Sequence, residues 1–229
     1  VRLFDDLIEL LLPQRCAGCG REPVLLCDTC ARPLRAAARP ARPAPSGLPP
    51  PWTVAAYEGA LRVILAAYKE RGRTALAVPL GEAMATAIRA ALAAVPDPPA
   101  GASSGGAVIV WVPSGRRAVR RRGHDPLRGV VAAAVRRLRA DGVAVSAVDA
   151  LRQRGRVADQ AGLTAVQRAA NLRGAVEARA GVAGLRVVLV DDVVTTGASL
   201  AEAVRALRTA GAEVTGTATV AATPRRRPR

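Results

Sequence analysis

Apolar positions along this 229-residue chain fall into runs of two kinds. Residues 187–190 and 108–112 are unbroken apolar stretches, the second closed by Pro113. A run without alternation suits a strand buried on both faces of a parallel sheet. Residues 52–57 and 143–148 read as further strands, and 213–220 as a final, alternating one. Between them, helix formers dominate at 58–69, 77–94, 127–140 and 200–210, with a shorter stretch at 164–170. Strands alternating with helices predict an α/β fold with a mainly parallel sheet and flanking helices. Residues 1–13 carry Asp5, Asp6 and Glu9 inside an apolar pattern, which reads as a short amphipathic helix and not as a membrane span or signal peptide. A proline-rich stretch over 36–51 reads as a linker, and 96–106 as a second flexible connection. The expected organisation is a helix and cysteine module over 1–35, a linker over 36–51, an α/β domain over 52–222 and a basic tail over 223–229.

Aromatic residues make up only 2% of the chain, so Ala, Val and Leu must build the core. The net charge of +16 comes from 34 Lys and Arg residues, of which Lys69 alone is a lysine. Such a balance attracts polyanions: nucleic acid, diphosphates or anionic surfaces. Arg225, Arg226, Arg227 and Arg229 end the chain in a segment that could grip a phosphate backbone without reading its sequence, or simply aid solubility.

All four cysteines fall within fifteen residues, as Cys16-x-x-Cys19 and Cys27-x-x-Cys30. Each pair supplies two thiolates from one tight turn, with Gly18 and Gly20 permitting the first, and four thiolates satisfy tetrahedral zinc in a closed structural site. Two local disulfides or four free thiols are the other readings. Zinc and a reducing, cytoplasmic setting are the expectation.

The most informative stretch runs from Val187 through Asp191, Asp192, Thr195, Thr196, Gly197, Ala198 and Ser199 into a helix. Backbone N–H groups at the start of that helix lack intrahelical partners, and its dipole adds positive potential, so a phosphate is the natural occupant. Gly197 allows close approach, and Thr195, Thr196 and Ser199 can add hydroxyl donors. Asp191 and Asp192 lie at the carboxyl end of the strand, where open α/β sheets bind ligands and carboxylates accept hydrogen bonds from sugar hydroxyls. An acid pair after an apolar strand also suits the magnesium strand of P-loop proteins, but the chain has no Gly-x-x-x-x-Gly-Lys-Ser/Thr.

This pattern resembles the 5-phosphoribosyl-1-diphosphate (PRPP) signature of type I phosphoribosyltransferases. The resemblance implies that Asp191 and Asp192 hold the ribose hydroxyls, that residues 195–199 wrap the 5-phosphate, and that magnesium accompanies PRPP. Three further segments resemble one branch of that superfamily, the ComF-type proteins associated with competence for DNA uptake. They are Tyr57-Glu58-Gly59 with Tyr68-Lys69-Glu70-Arg71-Gly72-Arg73; Val112-Pro113-Ser114 with Arg116, Arg121, Arg122 and Gly123; and Arg156, Gln160, Gly162, Leu163, Arg168 and Asn171.

By this resemblance Ser114, Arg116 and Lys69 are candidate contacts for the diphosphate, and the loop after 108–112 offers N–H groups and a guanidinium to such an anion. The arginines at 116–122 read equally as a solvated basic turn or a nucleic-acid patch. Where the relatives carry Arg-Gly-Phe-Asn-Gln, this chain has Arg122-Gly123-His124-Asp125-Pro126. His124, the single histidine, is assigned a packing or stacking role and not that of a general base. The expected activity is transfer of a 5-phosphoribosyl group to an acceptor the chain does not name, with no dedicated protein nucleophile. A PRPP-sensing or DNA-binding accessory role, with single-stranded DNA or competence proteins as partners, is the competing class. The scarcity of aromatics argues against a base-stacking groove.

Overall fold

In a computed structural model of the chain, residues 14–41, 47–95, 106–154, 172–179 and 181–224 are described. The apolar runs at the centre of the sequence become the centre of a six-stranded sheet. Its strands are β1 (Arg39–Pro40), β2 (Pro51–Ala56), β3 (Ala107–Trp111), β4 (Val145–Ala147), β7 (Arg186–Val194) and β8 (Glu213–Ala222), and their order is β1-β2-β8-β7-β3-β4. Only β1 runs antiparallel; every other pairing is parallel. A separate two-stranded hairpin pairs β5 (Leu151–Gln153) with β6 (Val176–Ala178).

Period-two alternation along the central strands distributes side chains to two cores. Val188 and Val190 of β7, with Ile109 and Trp111 of β3, face one cluster; Val187, Leu189, Val108 and Val110 face the other. The first is covered by α2 (Gly59–Glu70), α3 (Ala77–Ala93) and α5 (Pro126–Ala140). The second is covered by α6 (Ala198–Thr209) and the β5–β6 hairpin. The cysteine segment, with its short helix α1 (Asp28–Ala31), joins the first core through Cys16, Ala17, Cys27, Cys30 and Leu34.

Small residues set how closely these layers approach. A Cβ on Gly81 of α3 would stand 2.4 Å from Ala133 Cβ and 3.0 Å from Ala134 N of α5, so the two helices meet almost backbone to backbone. Gly216 of β8 likewise lies under Ala91 of α3. Gly81→Ala is therefore expected to force the helices apart at a cost of about 2–3 kcal/mol. Thermal unfolding should read this as a fall on the order of 5–10 °C. An unchanged midpoint would mean that the crossing is looser than these contacts describe. Residues Thr74–Ala93, which include α3, are long and apolar enough to cross a membrane, but half of that apolar window is buried in the protein.

Several expectations shift in detail. β8 does not alternate: from Val214 to Ala221 all but Thr215 are buried, because α3 covers one face and residues near Pro49 reach the other. β7 continues through both acids to Val194, because β8 is long enough to pair Val193 and Val194 with Ala221 and Ala222. The proline-rich stretch contributes β1, and its Gly47 and Pro49 carbonyls accept hydrogen bonds from Arg208 and Thr217. Residues 1–13, 164–170 and 225–229, to which helices and a basic tail were assigned, lie outside the described residues, as do Arg156, Gln160, Gly162, Leu163, Arg168 and Asn171.

Candidate functional site

Strand β7 delivers Asp191 and Asp192 to the carboxyl end of the sheet, and the chain then turns through 195–197 into α6. The turn depends on Gly197, whose φ of 75° is a left-handed conformation costly for any residue with a Cβ. Gly197 occupies the N-cap of α6 with no side-chain cap hydrogen bond. The Thr196 hydroxyl instead accepts from Ala198 N–H at 3.4 Å, a weak bond that shapes the loop. Thr195 is exposed, Thr196, Ala198 and Ser199 are half-buried, and with Asp191, Val193, Val194 and Leu200 they form a concave cup. A cup closed by backbone amides at a helix N-terminus is suited to an anion.

The two acids differ in their partners. Asp191 Oδ1 accepts from the Asp192 N–H at 2.8 Å. The Asp192 carboxylate forms an ion pair with the ammonium of Lys69, carried by the last turn of α2. Burial favours a neutral Lys69, but the charges of Asp192 and Asp191 outweigh it and raise its pKa. Burial, followed by the charge of Asp192, pushes the Asp191 carboxyl well above the usual carboxylate range, against the opposing pull of Lys69 and the Asp192 N–H. A carboxyl that holds its proton more tightly when folded contributes stability that is complete below its ordinary value of 3.8 and is lost as pH rises through the raised value. The melting temperature is thus expected to fall across that window, and Asp191→Asn to flatten the fall. A variant whose pH profile overlays the wild type would show that Asp191 titrates normally.

The loop after β3 lies beside these acids, because Val112 N–H donates to the Val190 carbonyl across the β3–β7 ladder. Ser114 Oγ donates to Asp125 Oδ1 at 2.8 Å, and the same oxygen accepts from Leu127 N–H, so Asp125 both N-caps α5 and ties down the loop. Pro126 at the first helical position completes an N-terminus that the sequence displays openly. Asp125-Pro126 is a local capping signal, whereas the bond from Ser114 to Asp125 depends on the loop folding back. Tyr68 adds a second brace, donating to the Pro126 carbonyl at 2.6 Å over the gap left by Gly129. Arg116 opens α4 (Arg116–Arg122), and its side chain lies outside the described atoms. Arg121 and Arg122 pair with Glu70, at 2.8 and 2.7 Å, so part of the basic run is neutralised locally. His124 Nδ1 lies 3.1 Å from the Arg122 carbonyl, and Nε2 is buried with no hydrogen-bond partner among the described residues.

The four cysteines converge within 4.8 Å of one another. Cys16 Sγ and Cys19 Sγ lie 3.6 and 3.7 Å from Cys27 Sγ. Those separations exceed a disulfide, for which about 2.05 Å is required. They match the edge of about 3.8 Å that a tetrahedron with metal–sulfur bonds of about 2.3 Å would have. One turn is held by Gly20, whose N–H donates to the Cys16 carbonyl, and the other by the N-terminus of α1. Gly18 is required by contact, since a Cβ there would sit 2.7 Å from Cys30 Sγ. Burial opposes ionisation of Cys16, but N–H groups of Cys27, Cys19 and Gly18 lower its pKa overall, whereas burial and the neighbouring thiols raise that of Cys30. Sulfurs crowded this way suit a cation at their centre.

Set against known proteins, the chain has no match among curated sequences. The matching part of the chain begins inside α5 and takes in β7, the acid pair, the Gly197 turn, α6 and β8: residues 128–229 match the family model of the phosphoribosyl transferase domain.

Proposed function

We propose that the chain binds magnesium PRPP at the carboxyl edge of the sheet and transfers its 5-phosphoribosyl group to an acceptor. The observation that carries this reading is the continuous β7–turn–α6 unit, which sets two carboxylates beside an uncapped helix N-terminus. In it, Asp191 and Asp192 accept hydrogen bonds from the ribose 2′- and 3′-hydroxyls, and the amides and hydroxyls of residues 195–199 hold the 5-phosphate. Ser114 and the Arg116 segment lie on the side where the diphosphate departs, and Lys69, now on Asp192, can turn toward the same charge. Magnesium would supply neutralisation of the diphosphate and be held by substrate oxygens near the acid pair. The chain's own work is positioning: the ribose is fixed so that an acceptor can attack the anomeric carbon as its bond to diphosphate breaks.

The cysteine cluster we read as a structural zinc site, closed because all four coordination positions come from thiolates. Its pairing with this domain supports a ComF-type protein, whose transfer would serve DNA uptake. Calorimetric titration with magnesium PRPP, followed by measurement of diphosphate released in the presence of candidate bases and amines, tests the reading. Binding with turnover is the expected result. Binding without release in any acceptor mixture would instead make the site a PRPP sensor, and no binding would remove PRPP from the account.

A further inference from the structure

The β5–β6 hairpin packs Leu151 and Val176 into the second core, and its outer edge is hydrogen-bonded by side chains of α6. Glu202 is 6% exposed, and its Oε1 accepts from Val176 N–H at 3.2 Å. Arg205 donates to the Val176 carbonyl at 3.0 Å and grips Glu202 through Nε at 2.8 Å and Nη2 at 2.7 Å. The N–H and C=O of one strand residue point to the same side, so this ion pair occupies the place of a third strand on the edge of β6. A buried acid in such a position is tolerated because its charge is matched in a forked geometry.

That hairpin forms one wall of a cleft of about 460 Å³, whose opposite wall is Ser114, Asp125 and Arg128. The hairpin contributes Arg152 and Gln153 from β5 and Arg179 from just beyond β6. Gln153 Oε1 is only 3.7 Å from where a Cβ on Gly115 would be, which places β5 directly against the Ser114 loop. Arg152 is steadied across the hairpin by Glu177. The same α6 that begins at the phosphate cup therefore fixes, through its fifth and eighth residues, the wall that carries two arginines.

We propose that Glu202 and Arg205 are positioning residues: through Val176 they set the hairpin so that Arg152 and Arg179 face a diphosphate group held at the Ser114 loop, while touching no ligand themselves. The inference rests on the phosphoribosyl reading of the site. Inorganic diphosphate with magnesium probes the cleft, and ribose 5-phosphate probes the cup. In Arg205→Met, which keeps volume but loses the fork, diphosphate affinity is expected to fall on the order of tenfold. Ribose 5-phosphate affinity should change by less than about twofold. Hydrogen exchange should rise in residues 151–154 and 172–179 and stay unchanged in α3. Glu202→Gln, which keeps an acceptor for Val176, should fall between wild type and Arg205→Met. Equal losses for both probes, or unchanged exchange in the hairpin, would overturn the proposal. Failure of the wild type to bind either probe would overturn the phosphoribosyl reading and the ligand role of the clamp together, and the exchange data would then describe a purely structural brace.

Discussion

The Asp191→Asn/Asp192→Asn double variant should lose PRPP affinity on the order of tenfold. Asp192 exchanges a hydrogen bond to a charged acceptor, worth roughly 1.5–3 kcal/mol, for one to a neutral amide, worth roughly 0.5–1.5 kcal/mol, while Asp191, which holds its proton near neutral pH, changes no charge. Calorimetry at constant magnesium measures the loss. Stability separates the two residues. Asp191 is held with its proton unusually tight, so Asp191→Asn removes the cost of keeping a carboxyl protonated in the fold and should leave the melting temperature level or higher near neutral pH. Asp192→Asn strips Lys69 of its ion-pair partner and should lower the melting temperature, because the Lys69 side chain is only 30% exposed. Wild-type affinity in the double variant would place the ribose elsewhere on the molecule.

Removing the metal is expected to reach well beyond the cysteine module. One zinc per chain is expected in purified protein, and none in Cys16→Ser/Cys27→Ser. Structural zinc contributes about 10–16 kcal/mol to the folding of small zinc modules, and a larger domain that retains its other contacts should lose only part of that. A loss of several kcal/mol lowers the melting temperature on the order of 10 °C in a chain of this size. The effect propagates because Cys16, Cys27, Cys30 and Leu34 pack in the same core as Leu80, Met84 and Ile88 of α3. Metal analysis combined with melting in chelator checks both parts. A metal-free protein that melts with the wild type would refute the site.

The strands and helices with strong local pattern were legible in the sequence, since a run such as Val187 to Val190 has few ways to be satisfied except inside a sheet. What escaped was structure supported from far away. The three-residue strands β5 and β6 have no pattern of their own; they pair with each other, pack Leu151 and Val176 into the second core and meet Glu202 and Arg205 at the edge of β6. The seven-residue helix α4 is an arginine run with little apolar content, closed by Gly123 at a φ of 75°. At the candidate site, the acid pair and the Gly197 turn could be read in order along the chain. The meeting of Lys69 with Asp192 could not, because it joins the last turn of α2 to the end of β7 across most of the domain. Asp125 lay between these extremes: its capping role is local and readable, while its bond to Ser114 depends on the loop folding back.

The strand order carries a consequence for any attempt to divide this protein. β7 and β8, from the second half of the chain, lie between β2 and β3, from the first. The chain is thus interleaved like two combs, and neither half owns a continuous stretch of sheet with both neighbours present. A fragment starting at residue 128 would expose the free edges of both β7 and β8 along with the surfaces that α2 and α3 cover. Produced alone it should aggregate, whereas two fragments cut between α3 and β3 and expressed together have reason to find each other and rebuild the sheet by complementation.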